Sequence, residues 1–116
     1  VFIGWAAYGS RQRRCELMPV FRLSAKSLED LKSIGRFTLK SWGREQRNIY
    51  LSKLDESFHI LADQPHLGIA RDDIRKGYRV YHVGRHLIFY RQKSPGIEII
   101  RILHDHMDVE THLRRG

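Results

Sequence analysis

The alternation of apolar and polar positions divides the chain after residue 18 into six elements. A short alternating run, Val20 to Leu23, predicts the first strand. A helix should follow, because Leu28, Leu31, Ile34, Thr38 and Trp42 recur at three- and four-residue steps and form one buried face. Ser27, with Asp30 three positions on, predicts a capping box at its start, and Gly43 predicts a left-handed stop.

A second helix is predicted over Glu45 to Ala62, where apolar residues recur with the same spacing. The helix should end before Pro65, because proline disfavours helical backbone at the residue before it. Since the link between the two helices is short, we expect an antiparallel helical hairpin.

Three β-rich segments complete the chain: Tyr78 to Val83, His86 to Gln92 and Ile97 to Leu103. The last has apolar residues on both faces, which is typical of a central strand. The order is therefore β-α-α-β-β-β in one α+β domain. Because two helices bury only one face of such a sheet, the other face must stay open or be covered by a terminus or a partner.

The first 17 residues show no clean period and no helix cap, so we treat residues 1–17 as an N-terminal extension and residues 18–116 as the domain. Met18 is a candidate for the true start. The apolar run before Arg11 is far shorter than the roughly 18 residues of a membrane span. Alternatively, the arginines of the extension form an arm that binds nucleic acid.

Composition narrows the class of partner. The 116 residues suit one domain, and 21 basic against 13 acidic residues give a net charge of +8, which attracts polyanions such as nucleic acid or an acidic protein. Cys15 is the single cysteine, so no internal disulfide can form and a reducing cytoplasm is expected. Between residues 71 and 101 there are eight basic and three acidic residues. Tyrosines alternate with the basic residues along this segment. They either stack on nucleic-acid bases, or they pack in the core while the cations are solvated.

Five segments together carry a resemblance to a known family: Leu23-Ser-Ala-Lys-Ser-Leu-Glu-Asp-Leu31, Ser41-Trp-Gly43, Gly77-Tyr-Arg-Val, His86-Leu-Ile-Phe-Tyr-Arg91 and Ile99-Ile-Arg-Ile-Leu-His104-Asp-His-Met-Asp108. From about Met18 to Leu113, this chain resembles the ParE branch of the RelE/ParE toxin superfamily. The resemblance implies a helical hairpin packed on a small twisted antiparallel sheet. It also implies a type II toxin that assembles with an acidic ParD-like antitoxin and needs no cofactor.

The superfamily includes gyrase inhibitors and ribosome-dependent mRNA endonucleases, so the target must be chosen from the residues. Arg79, Arg91 and His104 supply the cations and the imidazole that a metal-independent ribonuclease needs. The ribonuclease branch commonly has a C-terminal tyrosine, however, and residues 107–116 contain none. We therefore predict an inhibitor of DNA gyrase without chemistry of its own. The alternatives are an mRNA endonuclease and a degenerate toxin that only binds its antitoxin.

Candidate site residues follow from the same resemblance and from the charge pattern. Target contact is assigned to the C-terminal part of the family motif, namely Arg101, His104, Met107 and Asp108. Antitoxin binding is assigned to the basic sheet, namely Arg75, Lys76, Arg79, Tyr81 and Tyr90. His104-Asp-His106 could be a metal site or a strand end with hydrogen-bonded histidines. With no further cluster at ligand spacing, the sequence predicts no metal.

Overall fold

A computed structural model describes residues 20–106 and Leu113. The predictions for the N-terminal extension, Met107 and Asp108 therefore lie outside the described residues. The six predicted elements are present, together with one additional strand. In chain order, the elements are β1 (Phe21–Leu23), α1 (Ala25–Trp42), α2 (Arg44–Asp63), β2 (Ile69–Ala70), β3 (Arg79–Val83), β4 (His86–Lys93) and β5 (Gly96–His104).

The helix α1 begins one turn earlier than the capping box predicted. Ser24 is the N-cap: its backbone is extended, and its hydroxyl accepts a hydrogen bond of 3.0 Å from the backbone N–H of Ser27. Ser27 itself is buried and donates to the carbonyl of Ser24, so the prediction of Ser27 as the cap was wrong. The Ser24 hydroxyl also donates to the carbonyl of Ile100, which fixes the start of α1 against β5.

Gly43 joins the two helices as the single residue between them. Its φ of 95° lies in the region that favours glycine, which confirms the predicted stop. Its backbone N–H donates to the carbonyl of Leu39, and its own carbonyl accepts from Arg47 in the first turn of α2. The glycine thus closes one helix and opens the next, and α1 and α2 pack against each other as a hairpin.

The sheet has five strands in the order β1-β5-β4-β3-β2. The strands β2 to β5 pair antiparallel, but β1 pairs parallel to β5, with Phe21 opposite Ile97. The sheet is therefore mixed, which corrects the expectation of an antiparallel sheet. Parallel pairing is possible because the whole helical hairpin lies in the connection between these two strands. The sequence did not predict β2, because a strand of two residues is too short to show an alternating pattern.

Apolar side chains cover both faces of the sheet. The helix-side cluster buries residues of both helices against four of the strands: Phe21, Leu31, Ile34, Leu54, Phe58, Leu61, Ala62, Val83, Ile88, Tyr90, Ile97, Ile99 and Ile102. On the opposite side, Phe89 and Leu103 pack with Ile74 and with Leu113. Of the options left open by the sequence, this face is thus covered by the chain itself, through the loop before β3 and a residue near the C-terminus.

A bulge interrupts the ladder between β4 and β5. The register shifts between Phe89 and Tyr90, which pair with Arg101 and Ile99, respectively. In a regular strand, residues three apart point to opposite faces. Ile99 and Ile102 nevertheless both join the helix-side cluster, because the bulge inserts one extra residue between them. Among the described residues, no helix is long and apolar enough to cross a membrane.

An ion pair connects α1 to this bulge. The Arg101 guanidinium donates to both carboxylate oxygens of Asp30, over 2.8 and 3.0 Å. The same carboxylate accepts the backbone N–H of Ile102 at 3.0 Å. The side chains are only 15% and 16% exposed, and the hydrogen bond to Asp30 raises the pKa of Arg101. Asp30, which the sequence placed in a helix cap, thus fixes the helix to the sheet.

We expect Arg101→Met to destabilise the fold by about 3 kcal/mol, because it leaves the Asp30 carboxylate largely buried without its cation. The double variant Asp30→Asn/Arg101→Met should lose less than the sum of the single variants. Urea unfolding measures both effects. The control is Arg91→Met, which removes a more exposed pair with Glu98 and should cost below about 1 kcal/mol. Equal losses in Arg91→Met and Arg101→Met would contradict the anchoring role.

Candidate functional site

The five residues predicted to bind an antitoxin do not form one surface. Arg75 and Lys76 are exposed in the loop before β3. Tyr81 and Tyr90 pack instead in the helix-side cluster. Arg79 donates to the carbonyl of Gly68 at 2.6 Å and so supports the loop that follows α2. The structure therefore separates the exposed cations Arg75 and Lys76 from the aromatic rings of this set, whereas Arg79 lies beside Tyr90.

Tyr90 is fully buried and has a clear structural role. Its hydroxyl accepts the backbone N–H of Gly68 at 2.8 Å and donates to the carbonyl of Pro65 at 2.9 Å. Burial raises the pKa of this phenol. A β-carbon on Gly68 would lie 2.5 Å from the hydroxyl, so the bond also requires glycine at that position. The ring of Tyr90 is not accessible on the surface of this fold.

The three residues of the nuclease alternative lie at two ends of the sheet. Arg79 pairs with Tyr90 on β4, next to Arg91, whereas His104 pairs with His86. The positions 86 and 91 are separated by about 16 Å, at roughly 3.3 Å per strand residue. Arg91 also binds Glu98 at 3.0 Å. The structure therefore does not bring the imidazole and the two guanidinium groups around one phosphate.

Of the residues predicted to contact a target, the structure places Arg101 and His104. Arg101 is bound to Asp30 inside the fold, as described above. His104 is the last residue of β5, and about a third of its side chain is exposed. Of these two residues, His104 is therefore the one whose side chain is accessible at the surface.

A groove of about 810 Å³ runs between the two helices. Leu28, Leu39 and Leu51 give it an apolar floor, and Gly35 also lines it. The residues along its edges include the cations Lys32, Arg36 and Arg47. These three cations were missed from the sequence. The sequence does indicate two of them, because Lys32 and Arg36 are four residues apart and therefore lie on one face of the helix, beside an apolar stripe.

A second pocket, of about 550 Å³, lies on the other flank of α1. Phe37 and Trp42 line it and are 67% and 71% exposed, and Tyr50, His86 and His104 contribute polar groups. The placement of Trp42 on the buried helix face was wrong. As the last residue of α1, it lines this pocket instead of packing on the sheet. We call this site the aromatic pocket.

A row of polar rings lines the aromatic pocket. The Tyr50 hydroxyl lies 2.7 Å from Nδ1 of His86, and the His86 ring meets the His104 ring edge-on at 5.4 Å. Burial, and then the charge that His104 would carry, lower the pKa of His86 to about 4, against smaller opposing effects of Asp105 and Asp30. Burial likewise raises the pKa of Tyr50. At neutral pH the side chains of His86 and Tyr50 are therefore both uncharged.

Three histidines surround Asp105, just beyond this row. Its carboxylate oxygens lie 3.3 Å from Nδ1 of His104, 3.6 Å from Nε2 of His106 and 3.8 Å from Nε2 of His82. The ligand atoms of His104, Asp105 and His106 lie within 4.8 Å of one another. The sequence showed no further Cys/His cluster at ligand spacing, but the hairpin of β3 and β4 brings His82 close to this motif.

We expect the metal-free protein to lose stability as the pH falls from about 6.5 towards 4. The unfolded chain protonates His86 near its ordinary pKa of about 6.5, whereas the folded chain resists protonation down to about 4, so acid favours unfolding in that window. Urea unfolding across the window, with chelator present, measures the slope. His86→Gln should flatten it relative to the exposed control His66→Gln, and an unchanged slope in His86→Gln would contradict the assignment.

Comparison with known proteins gives the family. A model described as the ParE toxin of the type II toxin-antitoxin system parDE matches residues 21–109. Toxin ParE1 of Caulobacter vibrioides is 35% identical over 96 residues, covering 83% of this chain and 99% of that protein. Toxin ParE1 of Mycobacterium tuberculosis is 37% identical over 94 residues, covering 80% and 96%.

The fold agrees with that assignment. A structure of the chromosomal ParDE toxin-antitoxin system from P. aeruginosa matches with a TM-score of 0.63 and 21% identity, covering 75% of this chain and 96% of that one. At this identity, the likeness concerns the fold: a helical hairpin on a mixed sheet. Together with the match over residues 21–109, these findings show that the chain belongs to the ParE toxin family of type II toxin-antitoxin systems.

Proposed function

We propose that this ParE-family toxin acts in the cytoplasm by binding DNA gyrase and blocking replication, and that an acidic ParD-like antitoxin neutralises it. The observation that carries the proposal is that α1 lines two different surfaces, a cationic apolar groove on one flank and the aromatic pocket on the other. Two surfaces of different chemistry suit two different partners.

The groove between the helices suits the antitoxin. An amphipathic acidic segment can place apolar side chains on the floor formed by Leu28, Leu39 and Leu51 and its carboxylates near the cations along the edge. A net charge of +8 on the toxin favours the encounter with an acidic chain. Arg75 and Lys76, exposed on the loop before β3, stay predicted contacts for a longer acidic segment. Tyr90 is left out of this surface because it is buried.

Reversing the groove charges with Arg36→Glu/Arg47→Glu should weaken antitoxin binding by about tenfold or more, because carboxylates of the partner would then meet like charge. The control is the reversal of an exposed cation elsewhere, Lys93→Glu, at the end of β4. Calorimetry with a purified cognate ParD-like antitoxin gives both affinities. If the two reversals weakened binding equally, net charge and not the groove would explain the complex.

The aromatic pocket suits the target. Large apolar side chains exposed side by side are uncommon on a monomer and commonly mark a contact surface. Phe37 and Trp42 supply such anchors, and aromatic anchors dominate the energy of many interfaces. His104, which the sequence also predicts as a target contact, lies in the same pocket.

We expect Phe37→Ala/Trp42→Ala to reduce gyrase poisoning by about 30-fold or more, which corresponds to a loss of about 2 kcal/mol at the interface. Antitoxin binding should change less than threefold. Ile69→Ala is the matched control, since it removes an apolar side chain that is also 71% exposed but lies on β2. The assay measures cleaved linear plasmid formed by purified gyrase. Full poisoning by the double variant would refute the aromatic pocket as the target surface.

The mRNA endonuclease remains the alternative activity, and the separation of His104 from Arg79 and Arg91 argues against it. The decisive comparison adds the same toxin preparation to gyrase with plasmid DNA and to translating ribosomes with mRNA. Linear plasmid without cut mRNA supports the proposal. Cut mRNA that disappears in His104→Ala, with gyrase unaffected, would establish the enzymatic alternative.

A further inference from the structure

Four of the seven histidines of the chain lie at one end of the sheet, and three of them surround one carboxylate. His104 ends β5, and Asp105 and His106 form the turn that follows. The backbone N–H of Asp105 donates to the carbonyl of Arg85 at 2.9 Å, so Asp105 is held against the turn between β3 and β4. His82, on β3 just before this turn, places its Nε2 3.8 Å from the same carboxylate.

Two imidazole nitrogens lie close to one oxygen of Asp105. Nδ1 of His104 lies 3.3 Å from this oxygen and is 3.2 Å from the backbone N–H of His106. Nε2 of His106 lies 3.6 Å from the same oxygen. All three atoms can donate an electron pair to a cation placed between them.

The separations suit a small transition-metal ion. In a tetrahedral site with bonds of 2.0 to 2.1 Å, neighbouring ligand atoms are about 3.3 to 3.4 Å apart. The observed 3.3 and 3.6 Å are close to that value. His106 is 80% exposed on its side chain, so small rotations can adjust it and the ion can enter from solvent. Imidazoles with one carboxylate favour Zn²⁺ over Mg²⁺ or Ca²⁺, which prefer oxygen ligands.

We propose that His104, Asp105 and His106 bind one divalent transition-metal ion of the zinc type. His82, whose Nε2 lies 3.8 Å from the other oxygen of Asp105, would turn towards the ion as the fourth ligand. His86 is left out of the ligand set, because its Nδ1 lies 2.7 Å from the Tyr50 hydroxyl and its ring packs edge-on against that of His104. The ion would replace the hydrogen bond to Nδ1 of His104 and would connect the end of β5 to β3. The sequence alone predicted no metal here, because His82 is 22 positions from His104 along the chain.

The test uses the full chain without a histidine tag, first stripped with chelator. Calorimetric titration with Zn²⁺ should give one ion per chain, and Co²⁺ should give the intense visible absorption of a four-coordinate site. His106→Ala and His82→Ala should each weaken Zn²⁺ binding by about tenfold or more. The exposed control His66→Ala should leave it unchanged.

Several outcomes would overturn the proposal. The site is refuted if the stripped chain takes up no stoichiometric Zn²⁺, or if His104→Ala/His106→Ala binds it as tightly as the unmodified chain. Unchanged binding in His82→Ala alone would overturn the fourth ligand. Circular dichroism and melting of each variant without metal identify any loss caused by misfolding, and in that case His106→Ala, at the most exposed ligand, decides. Because the readout is metal binding, it is independent of gyrase and of the antitoxin.

Discussion

The ion pair between Asp30 and Arg101 is the constraint on which both surfaces of the toxin depend. It holds α1 against the bulged part of β5 through two guanidinium bonds and one backbone bond. Because α1 lines the groove on one flank and the aromatic pocket on the other, its position determines the shape of both. Arg101, predicted as a target contact, is bound inside the fold and positions the helix that carries Phe37 and Trp42.

The elements were largely predictable from the sequence because their periods are local properties. The exceptions have tertiary causes. Ser24 and not Ser27 caps α1, since the chain leaves β1 in extended conformation and Ser24 also binds β5. The parallel pairing of β1 depends on a partner more than 70 residues away, which no local pattern reveals.

The candidate site was less predictable, because residue type does not tell whether a side chain is buried. Tyr90 resembled a surface ring among cations, yet its hydroxyl fastens the loop after α2. Trp42 continued an apolar stripe, yet it is exposed. His104 stays a predicted target contact. Its neighbours His86 and His82 come from another hairpin, and only the fold brings them together.

The bulge between β4 and β5 also limits how this family member can diverge in length. It places Ile99 and Ile102 on the same face, so the face on which each later residue of β5 lies depends on the one inserted position. A single-residue deletion there would restore a regular ladder but reverse the sides of Ile102, Leu103 and His104. Apolar residues would exchange layers and the histidine would leave the aromatic pocket. Changes in chain length are therefore tolerated more readily in the turns than at this point of β5.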